Sequence, residues 1–389
     1  MSGLNLSKKR NPTFKNNRKV SRRNQINYWR KHWRAGILRF VERALVSSNV
    51  SESLAGNSIQ ILHLPEISEQ IEAVDLISQG EVLAPIRARI VVGPLVELAG
   101  VRQPIYRLVI NNAKISMLDG SVWLKNGFVL DAILPAWQKI IYAGGISDSL
   151  FNSKKSHVYF QGDWVFLAKS DYFYHQLIED LPILLTALND NPKTKILVSS
   201  EAQKTIIKLI SLLPNEVHIT SNIMVEIERL HAVTAGRVFS RREGQILKNF
   251  AAEHVLTNPK NGNPKKLFIS RGKLDRGDLE LERILFDQLE TLGFSKIDPE
   301  QIDIIEQIEL FTEADVIVGF HGGALSNMVW MKPNSRIVEI FNHEYRTYDF
   351  MRMAHELGHQ YRALDFSSNN QEDLLYGEML ARELREPLE

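Results

Sequence analysis

Residues 314–341 read ADVIVGFHGGALSNMVWMKPNSRIVEIF. The apolar run 316–320 is typical of a buried strand, and the run 336–341 has the same character. Between them, Gly322 and Gly323 precede a segment with helical spacing that begins near Ala324. A strand, a helix and a strand in this order indicate a βαβ unit of a parallel sheet.

The same alternation of strands and helices extends outward from this stretch, and it predicts an α/β protein. A polar segment rich in proline, glycine and asparagine, TNPKNGNPKK, interrupts the alternation and is typical of a linker. The predicted units are an N-terminal α/β domain over 56–256 that is β-rich over 56–150, the linker 257–266, a C-terminal α/β domain over 267–366, and a helical tail over 367–389.

The first 50 residues are strongly basic, with 13 lysines and arginines against one acid, Glu42, although the whole chain has a net charge of +1. The beginning of this arm is polar and is predicted to be disordered, and an amphipathic helix follows it. Residues 8–45 fit either an interfacial helix at an anionic membrane or a tail and helix docked on the body. Nucleic-acid binding ranks last, because the remainder of the chain is acidic.

Composition excludes several classes of site and indicates a compartment. The chain contains no cysteine, which excludes disulfides, thiolate zinc sites and iron–sulfur clusters. It has no apolar run of about 18 residues, which argues against a membrane-spanning helix. We therefore expect a cytoplasmic protein, either free or peripheral at the inner face of the membrane.

The glycine pair 322–323 is the first candidate for a binding site. Glycines allow a ligand to approach the backbone closely, and the first amides of the following helix can donate hydrogen bonds to an anion. His321 is either a donor to a bound phosphate or an ordinary turn residue. The alternative for the whole loop is a tight connection between a strand and a helix, without a ligand.

Two arginines follow another predicted strand of the same domain. Arg271 ends the strand KLFIS, and Arg276 follows five residues later. Guanidinium groups bind phosphate oxygens in a bidentate way, so the pair suits a diphosphate. The alternative is a pair of surface arginines that are neutralised by nearby aspartates. Glu339, at the end of a later strand, is either an acceptor for ribose hydroxyls or a cap of the strand.

Together, these features resemble the C-terminal region of the family 61 glycosyltransferases, the capsular polysaccharide biosynthesis type. The resemblance covers roughly residues 150–365 in order and spacing. Its matching pieces are DYFYHQLIEDLP (171–182), Ser270-Arg271, Arg276, Glu282, Ala314-Asp315, His321-Gly322-Gly323-Ala324-Leu325, Asn327, Pro333 and Glu339.

The resemblance implies a GT-B-like fold in which two Rossmann-like domains face each other across a cleft. It implies inverting transfer of a hexosyl or pentosyl group from a nucleotide sugar to a hydroxyl of a glycan or lipid-linked acceptor, in capsular, exopolysaccharide or other glycan synthesis. It also implies a general base and a group of donor-binding residues. The expected base is His175, with Asp180 and Glu179 as alternatives, and the expected donor-binding residues are Arg271, Arg276, His321, Gly322, Gly323, Ala324, Asn327 and Glu339. The chain lacks an Asp-x-Asp pair, so we expect no cofactor and no obligatory metal.

A competing motif is HELGH at residues 355–359, the H-E-x-x-H pattern of zinc metallopeptidases. The extended pattern requires glycine and histidine where the chain has Arg362 and Asp365, and Glu378 is a candidate for the third ligand. Gly358 is predicted to end the helix before His359, which would separate the two histidines. A catalytically silent module that binds nucleotides or glycans on the same fold is a third hypothesis.

Overall fold

The computed structural model describes residues 70–91, 95–102, 104–123, 158–188, 191–234, 238–256, 262–271, 279–342, 347–366 and 373–385. The predicted basic arm over 1–50 and the first half of the predicted linker, 257–261, lie outside these residues, so contact of residues 8–45 with a membrane stays a prediction. No helix among the described residues combines the length and the apolar character needed to span a membrane.

Fourteen strands are present in the part of the chain that the model describes. They are β1 (Ile71–Ser78), β2 (Glu81–Val91), β3 (Leu95–Arg102), β4 (Ile105–Ser116), β5 (Val122–Trp123), β6 (Val158–Leu167), β7 (Lys195–Ser199), β8 (Val217–Thr220), β9 (Met224–Val233), β10 (Lys266–Ile269), β11 (Ser295–Ile297), β12 (Val316–Phe320), β13 (Arg336–Phe341) and β14 (Gln360–Asp365).

The helices alternate with the strands after residue 158, as the sequence predicts. The α-helices are α1 (Phe173–His175), α2 (Leu181–Leu188), α3 (Lys204–Ile210), α4 (Arg241–His254), α5 (Leu279–Thr291), α6 (Ile304–Glu313), α7 (Asp349–Glu356) and α8 (Asp373–Arg385). A π-helical turn, Gln176–Asp180, joins α1 to α2, and two 3₁₀ helices span Pro299–Gln301 and Gly323–Trp330.

The first sheet has the strand order β1-β4-β9-β6-β7-β8, with β5 paired to β4. Strands β9, β6, β7 and β8 are mutually parallel, whereas β4 runs antiparallel to each of its neighbours. The hairpin between β4 and β5 turns at Gly120, where φ is +72°. An Asp-Gly pair such as Asp119-Gly120 is typical of a hairpin turn.

The second sheet has the order β11-β10-β12-β13-β14-β2-β3 and is parallel except for the β2–β3 pair. Strand β2 pairs with β14, with Ala363 opposite Ile90. Residues 81–91 and 95–102 therefore belong to the second sheet, whereas the sequence predicts them within the N-terminal domain (56–256). The order of strands along the chain does not reveal this pairing, because β2 and β14 are about 270 residues apart in the sequence.

A single hydrophobic core lies between the two sheets. It contains Val165, Leu167 and Val233 of the first sheet together with Ile269 and Ile317 of the second. Buried side chains of α2, α3, α4, α6 and the 3₁₀ helix 323–330 fill the same core. Helices α5 and α8 cover the opposite face of the second sheet. The protein is thus a mixed α/β structure, and the GT-B arrangement of two facing domains stays a prediction.

The strand order of the second sheet creates a crevice between β10 and β12. From β10 the chain passes through α5 to β11 on one side, and after α6 it returns to β12 on the other side of β10. Helix α5 packs on one face of the sheet, whereas the 3₁₀ helix after β12 packs on the other. Such a reversal opens a crevice at the carboxyl ends of the two strands, which is where ligands bind in open α/β sheets. Arg271 and His321 follow these two strand ends.

Candidate active site

Arg271 and Gly322 are in direct contact at this crevice. The Arg271 guanidinium donates a hydrogen bond from Nη1 to the carbonyl oxygen of His321. A Cβ atom on Gly322 would lie 3.0 Å from Nη1 and 3.1 Å from Cζ of Arg271. The backbone of Gly322 is extended, with a φ of 170° that any residue can adopt. A side chain at position 322 would therefore press on the guanidinium, which would have to shift by a few tenths of an ångström.

Buried Glu282 fixes the end of β10. Its carboxylate accepts hydrogen bonds of 2.7 Å from the hydroxyl of Ser270 and of 2.7 Å from the backbone N–H of Arg271. Lys296 lies 3.4 Å from the same carboxylate, and Glu282 is fully buried. Glu282 therefore holds the backbone from which the Arg271 side chain extends.

The helix after the glycine pair is a 3₁₀ helix rather than the expected α-helix. Its first turn closes with a hydrogen bond of 3.0 Å from the N–H of Leu325 to the carbonyl of Gly322. The amides of Gly323 and Ala324 precede this bond, and amides at a helix start have no acceptor within the helix. Donation of hydrogen bonds from these two amides to an anion stays a prediction.

Asn327 lies in the core beneath this loop. It is fully buried. Its amide donates to the side chain of Gln307 at 3.0 Å, and its carbonyl oxygen accepts from the Trp330 indole at 3.1 Å. The structure therefore gives Asn327 a role in supporting the loop, below the surface that a ligand would contact.

His321 and Glu339 form a histidine–carboxylate pair. Nδ1 of His321 lies 2.5 Å from a carboxylate oxygen of Glu339, and the hydroxyl of Tyr361 donates to the other oxygen. Glu339 is fully buried, and burial raises the pKa of its carboxyl, while the hydrogen bonds from His321 and Tyr361 act in the opposite direction. With both oxygens engaged inside the protein, Glu339 orients His321 instead of contacting a ribose.

A second histidine–carboxylate pair lies where α1 meets the π-helical turn Gln176–Asp180. Nδ1 of His175 is 3.1 Å from a carboxylate oxygen of Glu179, and both side chains are half-buried. Burial raises the pKa of the Glu179 carboxyl, and the hydrogen bond from His175 lowers it. A carboxylate at Nδ1 fixes the orientation of the imidazole ring.

Pro182 explains the wide turn that carries this pair. Proline has no N–H and its ring clashes with the carbonyl four residues earlier, so an α-helical bond at this point is lost. The N–H of Leu181 instead donates to the carbonyl of Gln176, five residues back. Such π-bulges are frequent at functional sites.

Aromatic rings connect the two histidine–carboxylate pairs. The Tyr174 ring centroid lies 5.1 Å from that of His175 and 5.4 Å from that of Phe350, which in turn lies 5.6 Å from that of His321. A Cβ on Gly323 would lie 3.7 Å from the backbone nitrogen of Tyr174, so the glycine loop abuts α1. Residues 173–175 and the loop 321–323 are therefore neighbours in the structure.

Asp349, at the start of α7, acts electrostatically on both pairs. Burial is the main cause that raises the pKa of the Glu179 carboxyl and of the Glu339 carboxyl, and the charge of Asp349 raises both pKa values further. Sequence reasoning missed Asp349, Phe350 and Tyr361 as neighbours of the site. Their positions depend on how α7 and β14 pack in the protein. The sequence of residues 349–361 shows the spacing of apolar residues but does not indicate this packing.

One predicted site residue, Asp180, stands apart from this cluster. Another, Arg276, lies outside the described residues, so its role stays a prediction. Asp180 lines a separate cavity together with His231, Leu184 and Ala187. Burial, followed by the charge of Glu179, raises the pKa of the Asp180 carboxyl well above its usual range, which favours the neutral acid.

The HELGH segment does not form a zinc site. Helix α7 ends at Glu356, and Gly358 has a φ of +72°, which confirms the predicted helix end. His355 is exposed, whereas His359 is buried and its Nε2 lies 3.0 Å from the carbonyl oxygen of Met328. Within the described ranges, no group of three or more histidines and acids could hold a metal ion. The zinc metallopeptidase hypothesis is wrong, because the two histidines lie in different environments.

Glu356, the expected general base of that motif, has a structural role instead. Its carboxylate accepts a hydrogen bond of 3.1 Å from the backbone N–H of Arg241, at the start of α4. Arg102, at the end of β3, lies 3.8 Å from the same carboxylate. Glu356 thereby ties α7, which carries Asp349 and Phe350, to two neighbouring elements.

We expect His359 to make the protein less stable in acid. Burial lowers the pKa of His359 from 6.5 to about 4. Above pH 6.5 the neutral imidazole therefore costs no free energy of unfolding. As the pH falls from 6.5 to about 4, the free energy of unfolding decreases by about 3 kcal/mol, because the unfolded chain binds a proton that the folded protein does not. Urea titrations across this range should show a smaller loss for His359→Gln than for the wild type. His355→Gln is the matched control, and an equal effect of both changes would contradict the assignment.

Comparison with known proteins agrees with this geometry. Residues 173–338 match the family model Glycosyltransferase 61. The match begins two residues before His175, includes Arg271 and His321, and ends one residue before Glu339. No curated protein matches the chain. Over residues 173–338, the chain is similar to the family 61 glycosyltransferases.

Proposed function

We propose that the protein transfers a sugar from a nucleotide-sugar donor to a hydroxyl of a glycan or lipid-linked acceptor, with inversion at the anomeric carbon. One observation supports the proposal most: cationic and amide donors at the β10–β12 crevice lie against the helical segment that carries a histidine–carboxylate pair. These are the two requirements of the reaction, which needs a base on the acceptor side and positive charge at the leaving group.

In this proposal, Nε2 of His175 accepts the proton of the acceptor hydroxyl as its oxygen attacks the anomeric carbon. A bond forms between the acceptor oxygen and that carbon, and the bond from the carbon to the diphosphate oxygen breaks. Glu179 stabilises the imidazolium that results. The electron pair of the broken bond stays on the nucleoside diphosphate, which leaves as an anion.

The donor side of the crevice would hold that anion. Arg271 offers a planar fork to the phosphate oxygens, and the amides of Gly323 and Ala324 add neutral donors. His321, oriented by Glu339, adds a further hydrogen-bond donor at the same place. Two facing domains in the GT-B manner, and a role for Arg276 in the diphosphate clamp, remain parts of this proposal.

A panel of nucleotide sugars tests the proposed activity. We expect at least one UDP-, GDP-, CDP- or dTDP-sugar to raise the thermal unfolding midpoint and to be hydrolysed slowly, or transferred when an acceptor is present. Stabilisation without turnover for every donor would instead indicate a silent nucleotide-binding module. If the panel gives neither stabilisation nor turnover, the proposal is wrong.

We expect Gly322→Ala to weaken the binding of nucleoside diphosphates. The new methyl group displaces the Arg271 guanidinium, which lies 3.0 Å from the position of the added Cβ. A displacement that costs about 1 kcal/mol lowers the affinity roughly fivefold. Gly323→Ala is the matched comparison, because its Cβ would make ordinary contacts at 3.7 and 3.8 Å, and its loss should be smaller. Calorimetric titration measures both, and a larger loss for Gly323→Ala would refute the argument.

A further inference from the structure

The loop that follows β6 is held rigidly by hydrogen bonds to its backbone. The amide of Gln176, which is fully buried, donates to the carbonyl of Ala168 at 2.9 Å. The amide of Gln203 donates to the carbonyl of Ser170 at 3.1 Å, and the N–H of Lys169 donates to the carbonyl of Met117 at 2.9 Å. Three separate elements thus fix the backbone that leads to Tyr172.

Tyr172 projects from this fixed loop into solvent. It is 58% exposed, one of few large apolar side chains in the described structure with such exposure. Its ring stands edge-on to His175, with the centroids 5.8 Å apart and the planes at 83°. An exposed aromatic ring on a rigid backbone offers a large contact area and loses little conformational entropy on binding.

The surroundings of Tyr172 are polar and charged. The Lys169 ammonium lies 2.7 Å from a carboxylate oxygen of Glu201 and 3.7 Å from one of Asp171, the residue next to Tyr172. The Asp171 and Glu201 side chains are largely exposed, so their remaining lone pairs face solvent. A flat apolar ring face with carboxylate and ammonium groups beside it matches a sugar, whose ring has an apolar C–H face and a rim of hydroxyls.

We propose that Tyr172 is the platform on which a pyranose ring of the acceptor stacks, next to His175. This inference rests on the proposed transferase function and adds that the acceptor is itself a sugar where it meets the enzyme. Stacking at this position places the hydroxyls of the ring beside the imidazole that would take the proton. Tyr172 thereby determines acceptor specificity, and it favours a glycan over an acceptor hydroxyl on an alkyl chain.

Saturation-transfer NMR with simple pyranosides tests the platform on the full chain. The probes are methyl β-D-glucopyranoside, methyl β-D-galactopyranoside and methyl β-D-xylopyranoside, with n-hexanol as the alkyl comparison. We expect the wild type to transfer saturation to the C–H protons of at least one pyranoside. Tyr172→Ala should weaken that binding about tenfold, whereas Tyr172→Trp should retain it.

Tyr159→Ala is the matched control, because Tyr159 is 52% exposed and lies at the opposite end of β6. It should bind the pyranosides as the wild type does, and unchanged thermal midpoints would show that all variants are folded. The platform is refuted if no pyranoside receives saturation, if Tyr172→Ala binds normally, or if hexanol displaces the pyranosides. Titration of the same proteins with nucleoside diphosphates separates this result from the proposed function, since that binding depends on Arg271.

Discussion

Replacing Arg271 by alanine is expected to lower kcat/KM for the nucleotide sugar by about 10²- to 10³-fold. A loss of this size is usual when one preorganised hydrogen-bond donor to the negative charge of the transition state is removed. The guanidinium is positioned by the His321 carbonyl and by the space above Gly322. Both contacts place it where the nucleoside diphosphate would accumulate charge as the sugar departs. Steady-state kinetics with the best donor of the nucleotide-sugar panel measures the effect.

Two further variants make this result specific. Arg271→Lys keeps the charge but loses the bidentate fork, and it should recover only part of the activity. Arg283→Ala removes an exposed arginine of α5 that is paired with Glu280 and Asp287, and it should leave the kinetics unchanged. An Arg271→Ala enzyme with wild-type kinetics would remove Arg271 from the donor site.

Replacing His175 by alanine is expected to lower kcat for transfer by about 10²- to 10⁴-fold, the usual contribution of a positioned base. The loss should be in kcat, because the imidazole acts on the acceptor proton and the diphosphate is held elsewhere. Glu179→Gln should lose less than His175→Ala, since the amide oxygen can still accept the hydrogen bond from Nδ1 but cannot neutralise the imidazolium. Transfer assays at saturating donor compare the two variants.

A matched control for His175 is available on another helix. His254 of α4 lies 3.8 Å from the carboxylate of its neighbour Glu253, so it is also a histidine near an acid. His254→Ala should transfer at the wild-type rate. If His175→Ala also does so, the base is another group, and exposed Asp349 would be the first to examine.

Sequence patterns predicted the second sheet well where the signal is local. The apolar runs that became β12 and β13 depend on neighbouring residues alone. A left-handed residue within a strand has no comparable local signal: Asn112 has a φ of +52° inside the continuous strand β4.

The parts that were not predictable depend on contacts between distant residues. The pairing of β2 with β14 is such a contact. The His321–Glu339 pair is another, since it requires β12 and β13 to be neighbours with Gly319 opposite Glu339. By contrast, the His175–Glu179 spacing of four residues is visible in the sequence. The burial of Glu339 was not predicted either, because it becomes apparent only when the strands are assembled into the sheet.

Calorimetric titration of UDP, GDP, CDP and dTDP into the wild type, Arg271→Ala and Arg283→Ala tests the central claim, a nucleoside diphosphate site at the β10–β12 crevice. We predict that at least one of the four binds the wild type and Arg283→Ala with the same affinity. The same nucleotide should bind Arg271→Ala at least about tenfold more weakly, as expected for a lost charge-assisted bidentate contact. Equal affinity for all three proteins, or binding of none of the four nucleotides, would contradict the claim.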